Sequence, residues 1–316
     1  MEYRKLGTSG LKVSLAGIGC NNFGMKLDAA GTASVVDAAL DEGINLFDSA
    51  DIYGGGKSEE FLGAALGKKR QRAIITTKFG IPTGEGANER GGSRSYALRS
   101  CEASLKRLGT DYIDVYFLHQ PDPETPIAET LDAMNQLMNE GKVRYIGCSN
   151  FAGWQIADAD WTARTGNLRG FVTAQNEWSL LQRGCEADVV PACERYGLGV
   201  MPYFPLAAGA LTGKYRRGQE FEKTSRFATS QMMKDYFGHF VADAALETVE
   251  RLEKVAEAAG LSILELALSW LASRPVVSSV IAGATRPEQV KSNASATRSD
   301  LGADVFAEVE KVLKGA

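Results

Sequence analysis

"INLFDSADIYGGGKSEE", residues 44–60, is the stretch on which the fold turns. An apolar run, Ile44 with Leu46 and Phe47, stops at an acid, Asp48, and Tyr53 follows five residues later. Three glycines then lead into Ser58 and Glu60. An apolar strand, a glycine turn and a helix start make one βα unit, with polar groups delivered where the strand ends. Gly54, Gly55 and Gly56 allow that loop to fold tightly, and Ser58 reads as the cap of the helix behind it.

Working outward, the alternation occurs eight times. Strands are expected near 15–19, 44–48, 73–77, 113–118, 143–148, 172–176, 199–202 and 277–281, separated by helical patterns such as "TASVVDAALDEG" (32–43), "SYALRSCEASLKRLG" (95–109), "IAETLDAMNQLMNEG" (127–141) and "DVVPACERYG" (188–197). Most of these end in glycine, the usual helix stop. Eight βα units imply an α/β fold, a (β/α)8 TIM barrel, with residues 1–316 as a single domain. An open, doubly wound dinucleotide-binding sheet would carry GxGxxG after its first strand. The first turn reads "GIGCNNFG", with the wrong spacing. Outside the repeat, "YRKLGTSGLKV" (3–13) reads as a hairpin plugging the barrel floor, 207–241 as a long insertion after the seventh strand, and "DVFAEVEKVLKG" (304–315) as a terminal helix.

The bulk numbers narrow the function. With 44% hydrophobic residues, 23% charged and a net charge of -4, the chain has neither a basic block for nucleic acid or anionic lipid nor an acidic tail. Its apolar runs fall well short of the roughly 20 residues that span a bilayer. No apolar signal core follows "MEYRKLGTSG", and five cysteines without a CxxC suit buried thiols in a reducing compartment, so a cytoplasmic location is expected. Two histidines without HExxH speak against metal-assisted hydrolysis, and no GxSxG supports a serine nucleophile. Oligomeric state is not legible.

In a parallel α/β barrel the chemistry lies at the carboxyl ends of the strands. There the sequence sets Asp48, Lys78, His119, Ser149 with Asn150, Gln175 with Asn176, Tyr203 and Gly283. Singly, each has a plain structural reading: Asp48 as a turn cap, Lys78 as a snorkelling side chain, His119 as a satisfied core residue. Together they form a proton donor. A phenol with a pKa near 10 donates poorly at neutral pH, but an ammonium about 4 Å away favours the phenolate by about 4 kcal/mol at an effective dielectric near 20, enough to lower the pKa by up to about 3. Burial and a nearby carboxylate offset part of that. Lys78 is thus expected to tune Tyr53, Asp48 to hold Lys78, and His119 to polarise a substrate oxygen. Read instead as a Schiff-base amine, Lys78 would suit a barrel aldolase or isomerase.

With "GINLFDSADIYGGGKSEEFLG" (43–63), "TKFG" (77–80), "LHQPDP" (118–123), "GKVRYIGCSN" (141–150), "QNEWSLLQR" (175–183), "YFPLAAGALTGKY" (203–215) and "IAGATRPEQVKSN" (281–293) in this order, the chain resembles the aldo-keto reductase superfamily from Leu6 to about Asn293. The resemblance implies an NADP-dependent reductase of aldehydes or ketones, acting on a small carbonyl or alcohol, NAD being the other possible cofactor. Asp48, Tyr53, Lys78 and His119 match its catalytic tetrad, with Tyr53 as general acid. It implies that Ser149, Asn150 and Gln175 bind the carboxamide, that Tyr203 stacks under the nicotinamide, and that Leu206, Gly209, Leu211, Lys214, Arg226, Gly283, Thr285, Gln289 and Asn293 hold the rest of the dinucleotide.

Three departures stand out. Gln289 replaces a common arginine and Gly283 a common lysine, with Arg286 offering charge nearby. "YFPL" replaces "YSPL", and Trp178 stands where tyrosine is frequent. Loops around Asn22, Phe23, Phe79, Trp178 and the long insertion are expected to line the mouth, with Phe204 of "YFPL" near it. The same branch resembles potassium-channel β subunits, so a nicotinamide-sensing regulatory subunit is the alternative to an enzyme.

Overall fold

The computed structural model describes residues 1–221, 226–229 and 231–314. A short antiparallel hairpin, β1 (Tyr3–Lys5) with β2 (Lys12–Ser14), precedes eight parallel strands: β3 (Ala16–Gly19), β4 (Leu46–Asp48), β5 (Ile74–Phe79), β6 (Ile113–Leu118), β7 (Val143–Ser149), β8 (Thr173–Gln175), β9 (Gly199–Val200) and β10 (Val280–Gly283). They pair in the order β10-β3-β4-β5-β6-β7-β8-β9. The sheet closes on itself because Val200 bridges Val277, while the Ser278 and Ile281 amides donate to the carbonyls of Val200 and Pro202 at 2.9 and 3.0 Å. The expected (β/α)8 barrel is present. Its last strand starts later than expected because Val277 is used in the bridge to β9.

Period-two alternation sorts the side chains. Leu46, Val115, Phe117, Met201 and Ile281 fill the barrel interior together with Leu6 and Val13 of the hairpin, whereas Phe47, Ile75, Phe79, Tyr116 and Ile146 face the surrounding helices. The interior is narrow. A Cβ on Gly147 would come within 2.6 Å of the Phe117 ring, so glycine is what lets that ring fit. The hairpin seals the amino-terminal end, with Gly7 seated against the backbone of Val172, Gly197 and Gly199. The opposite end is left for a site.

The helices Ala29–Asp41, Arg94–Leu108, Ile127–Asn139, Val189–Tyr196 and Ala303–Leu313 lie close to the expected ranges, and Gly109 and Gly197 end theirs in left-handed backbone. Ser58 behaves differently from expectation. Helix Lys57–Leu66 starts from Gly56, at φ 91, without a side-chain cap. The Ser58 hydroxyl instead donates to the Cys20 carbonyl at 2.9 Å and lies 2.8 Å from the Ser49 hydroxyl, pinning the turn to the barrel. All five cysteines are buried and unpaired. Among the described residues no single helix is long and apolar enough to cross a membrane.

Candidate functional site

Alternation along β4 and β5 sends Leu46, Asp48, Thr76 and Lys78 inward, so Asp48 and Lys78 meet above the apolar plug. Lys78 donates from Nζ to Asp48 Oδ2 at 2.7 Å and to the Ser49 carbonyl at 2.8 Å. Asp48 Oδ1 accepts from Thr76 at 2.5 Å and from the Gln175 amide at 3.0 Å. Both side chains are buried, Lys78 at 0% exposure. Burial alone would lower the Lys78 pKa, but Asp48 and Tyr53 outweigh it and leave it above the ordinary lysine value. A lysine held charged and buried in this way is not a free amine, which argues against the Schiff-base reading.

Tyr53 hangs on the turn above. Lys78 Nζ lies 5.2 Å from its ring centroid, and the His119 ring meets it edge-on at 6.0 Å. The expectation that Lys78 would leave Tyr53 more acidic than a free phenol is not met. Burial, the largest influence, raises the Tyr53 pKa; Lys78 lowers it, and Asp48 raises it again, so the hydroxyl stays protonated at neutral pH. His119 follows β6 at 7% exposure with no partner for Nδ1. Burial and then the Lys78 charge push its pKa down to about 3, so the imidazole is neutral.

Asp48, Tyr53 and His119 line one end of a cleft of about 930 Å³, within the usual range for a small-molecule site, with Lys78 buried beneath them. Ser149 donates to the Gln175 carbonyl at 2.9 Å, Asn150 to the His119 carbonyl at 3.0 Å, and Tyr203 OH to Asn150 Oδ1 at 2.8 Å. Strand ends β6 to β9 are thereby laced together. Leu206, Gly209, Lys214, Gly283, Thr285, Gln289 and Asn293 carry the cleft onward, joined by Asn21, Lys26, Phe204, Arg286 and Ser292, of which Phe204 and Arg286 were anticipated. Gln289 Oε1 accepts from the Thr285 amide at 2.7 Å and hydroxyl at 3.0 Å, so it shapes the start of helix Pro287–Ala296. The donor set fits a dinucleotide, with amides at one end and cations with a helix start at the other.

Five placements differ from the sequence reading, among them Asn22, which is buried and does not line the cleft. Leu211 is fully buried in the core and does not line the cleft, because left-handed backbone at Ala208 and Gly209 turns the chain away. Phe79 stacks on Tyr116 at 4.7 Å, and Trp178 packs edge-on against Trp270 with Nε1 donating to Glu186 at 2.9 Å. Phe23 is likewise fully buried. Arg226 begins helix Arg226–Thr229, but its side chain lies outside the described residues. Arg216 and Arg217 pair with Glu253 and Glu250 on helix Asp243–Ala258. A signal that spacing misses is backbone strain: Asn150, Phe204, Ala207 and Ala208 all have positive φ.

The Aldo/keto reductase family model matches residues 16–314. A protein named "Probable voltage-gated potassium channel subunit beta" from Arabidopsis thaliana is 39% identical over 301 residues, which is 94% of this chain and 91% of the relative. An "Uncharacterized oxidoreductase YrpG" from Bacillus subtilis is 34% identical over 326 residues, 100% of this chain and 97% of the relative. With agreement running almost from end to end of a closed eight-stranded barrel, the chain belongs to the aldo/keto reductase family.

Proposed function

We propose that the chain is an oxidoreductase that reduces an aldehyde or ketone, with NADP favoured over NAD, and that Tyr53 is its acid. The observation that carries this reading is the buried Asp48–Lys78 pair beneath Tyr53 and His119, at one end of a cleft whose other end presents Lys214 and Arg286. When bound, the reduced nicotinamide supplies the hydride. The residues supply the rest. Neutral His119 offers a ring N–H to a carbonyl oxygen, and Tyr53 OH gives that oxygen its proton as the carbonyl carbon is reduced to an alcohol. A phenol that is fully protonated at neutral pH is loaded for this step, and the phenolate left behind faces the Lys78 ammonium. Ser149, Asn150 and Gln175 would bind and orient the carboxamide.

The second reading, a nicotinamide-sensing regulatory subunit with little turnover, draws on the Arabidopsis relative's printed name. One experiment separates the two. Purified protein with NADPH and a panel of aldehydes and ketones should lose absorbance at 340 nm, and Tyr53→Phe should lower that rate by at least 10³-fold. Tight NADPH binding by fluorescence without turnover would favour the sensing subunit, and equal turnover by Tyr53→Phe would remove Tyr53 as the acid.

A further inference from the structure

Asp51 stands three residues after Asp48, in opposite surroundings. It is 5% exposed, and neither carboxyl oxygen has a hydrogen-bond partner. Its amide donates to the Lys78 carbonyl at 3.1 Å, fixing it to the back of the turn that carries Tyr53. Behind that turn lies a cavity of about 530 Å³, walled by Asp51, Ile52 and Gly55 on one side and by Tyr96, Arg99 and Arg107 on the other.

The charged and titratable groups around Asp51 come from every neighbouring element. Glu59 faces it from helix Lys57–Leu66, Arg107 and Tyr96 from helix Arg94–Leu108, Lys78 from β5 and Tyr116 from β6, with Glu89 and Arg99 on the cavity's wall. Both neighbouring cations are committed elsewhere. Arg107 Nε binds Glu59 Oε2 at 2.6 Å, and Lys78 serves Asp48. Glu59 is itself fully buried and accepts from Thr77 at 2.5 Å. An ionised Asp51 would therefore be a second buried negative charge beside Glu59, with nothing but a weak approach of the Ile52 amide to offset it.

We propose that Asp51 is a positioning residue for Tyr53: its protonated carboxyl keeps the turn Ile52–Gly56 at its tightest, and its ionisation loosens that turn. The consequence for catalysis rests on Tyr53 being the acid; the loosening itself does not. Burial and then Glu59 hold the Asp51 carboxyl up to about 7 in the closed turn. Gly54, Gly55 and Gly56 all have positive φ, a backbone free of side-chain barriers to rearrangement. The cavity gives the carboxylate a route to water.

The sign follows from proton linkage. An opened turn would expose an ordinary carboxyl, with a pKa near 3.9, so opening releases a proton wherever the closed turn still holds one. Opening becomes about tenfold more favourable per pH unit from about 4 to about 7, and levels off above. Below that window the turn is at its tightest.

Hydrogen–deuterium exchange of the full chain at pH 5, 6, 7 and 8 tests this, read on the peptide spanning Asp51–Gly56 and corrected for intrinsic exchange. Wild type should lose about tenfold in protection from pH 5 to 6, about fivefold from 6 to 7 and about twofold from 7 to 8; Asp51→Asn, which cannot ionise, should hold its protection constant. An equal slope in Asp51→Asn overturns the proposal. Should that variant fail to fold, Glu59→Gln serves: with one negative charge removed and Arg107 released, protection should level off at lower pH, and an unchanged profile would count against Asp51. Where turnover is measurable, Asp51→Asn should also erase the pH dependence of kcat/KM near 7 while keeping any step due to Tyr53. Exchange reads the turn without turnover, so failure of the reductase reading and failure of this one are distinguishable.

Discussion

At the Tyr53 end of the cleft, Asp48 and Lys78 rise from neighbouring strands, are buried, and have no side-chain polar atom without a partner. At the far end, Lys214 follows the turn Ala207–Thr212, and Arg286, 64% exposed at its side chain, sits at a helix start. One end is fixed before anything binds; the other presents charge in solvent. Under the proposed function the difference follows from what each end would do. Charge that develops during a reaction is best met by groups already oriented in a dry site, whereas a permanently charged ligand needs only complementary charge, which water and salt weaken.

The comparison breaks most sharply at Lys78. Lys78→Met leaves Asp48 buried without its cation, and should cost about 3 kcal/mol in a urea midpoint as well as at least 10³-fold in carbonyl reduction. Adding Asp48→Asn removes the stranded charge and should return most of the stability but none of the rate. If the double variant regained activity, the pair would be holding the barrel together and nothing more. His119 sharpens the contrast in acid. The folded chain keeps its imidazole neutral down to about 3, while an unfolded chain takes up the proton near 6.5, so this contribution is complete above 6.5 and is lost as pH falls toward 3. At pH 4 the loss amounts to about 3 kcal/mol. His119→Gln should therefore lose about that much less stability than wild type between pH 7 and 4, by thermal or urea unfolding.

The two ends were also unequally legible in the sequence. Asp48, Lys78 and His119 could be placed because each follows an apolar run at a strand end, where alternation and barrel geometry dictate position. Alternation also carries the reason that Phe79 faces the helices, since its neighbour Lys78 points inward, yet its place next to a site residue drew it to the mouth. Trp178 could not be placed by local pattern because its packing partner, Trp270, is 92 positions away in the chain. Leu211 failed for a backbone reason: the left-handed residues before it redirect the chain, and "PLAAGALTGK" shows small residues without showing which way they turn. The direction of the Tyr53 pKa failed because its main cause, burial, comes from packing and is not written in the spacing of charges.

The smallest predicted effect lies at the loop-built end. Lys214 Nζ rests 4.9 Å from the Tyr215 ring centroid, and its Cε and Nζ lie against Gly209, whose φ of 103 and missing Cβ let the lysine come close. Its charge thus reaches the cleft from a partly solvated position, where one contact to an anion is worth about 1.4 kcal/mol, or tenfold. Lys214→Met keeps the stem and removes the charge. NADPH affinity by fluorescence should fall about tenfold in low salt, the gap should narrow at 0.5 M salt because the lost interaction is the screened one, and kcat at saturating NADPH should stay within about twofold. A large fall in kcat instead would mean that the two ends are mechanically coupled, and that the division between a prepaired end and an adaptable one is drawn in the wrong place.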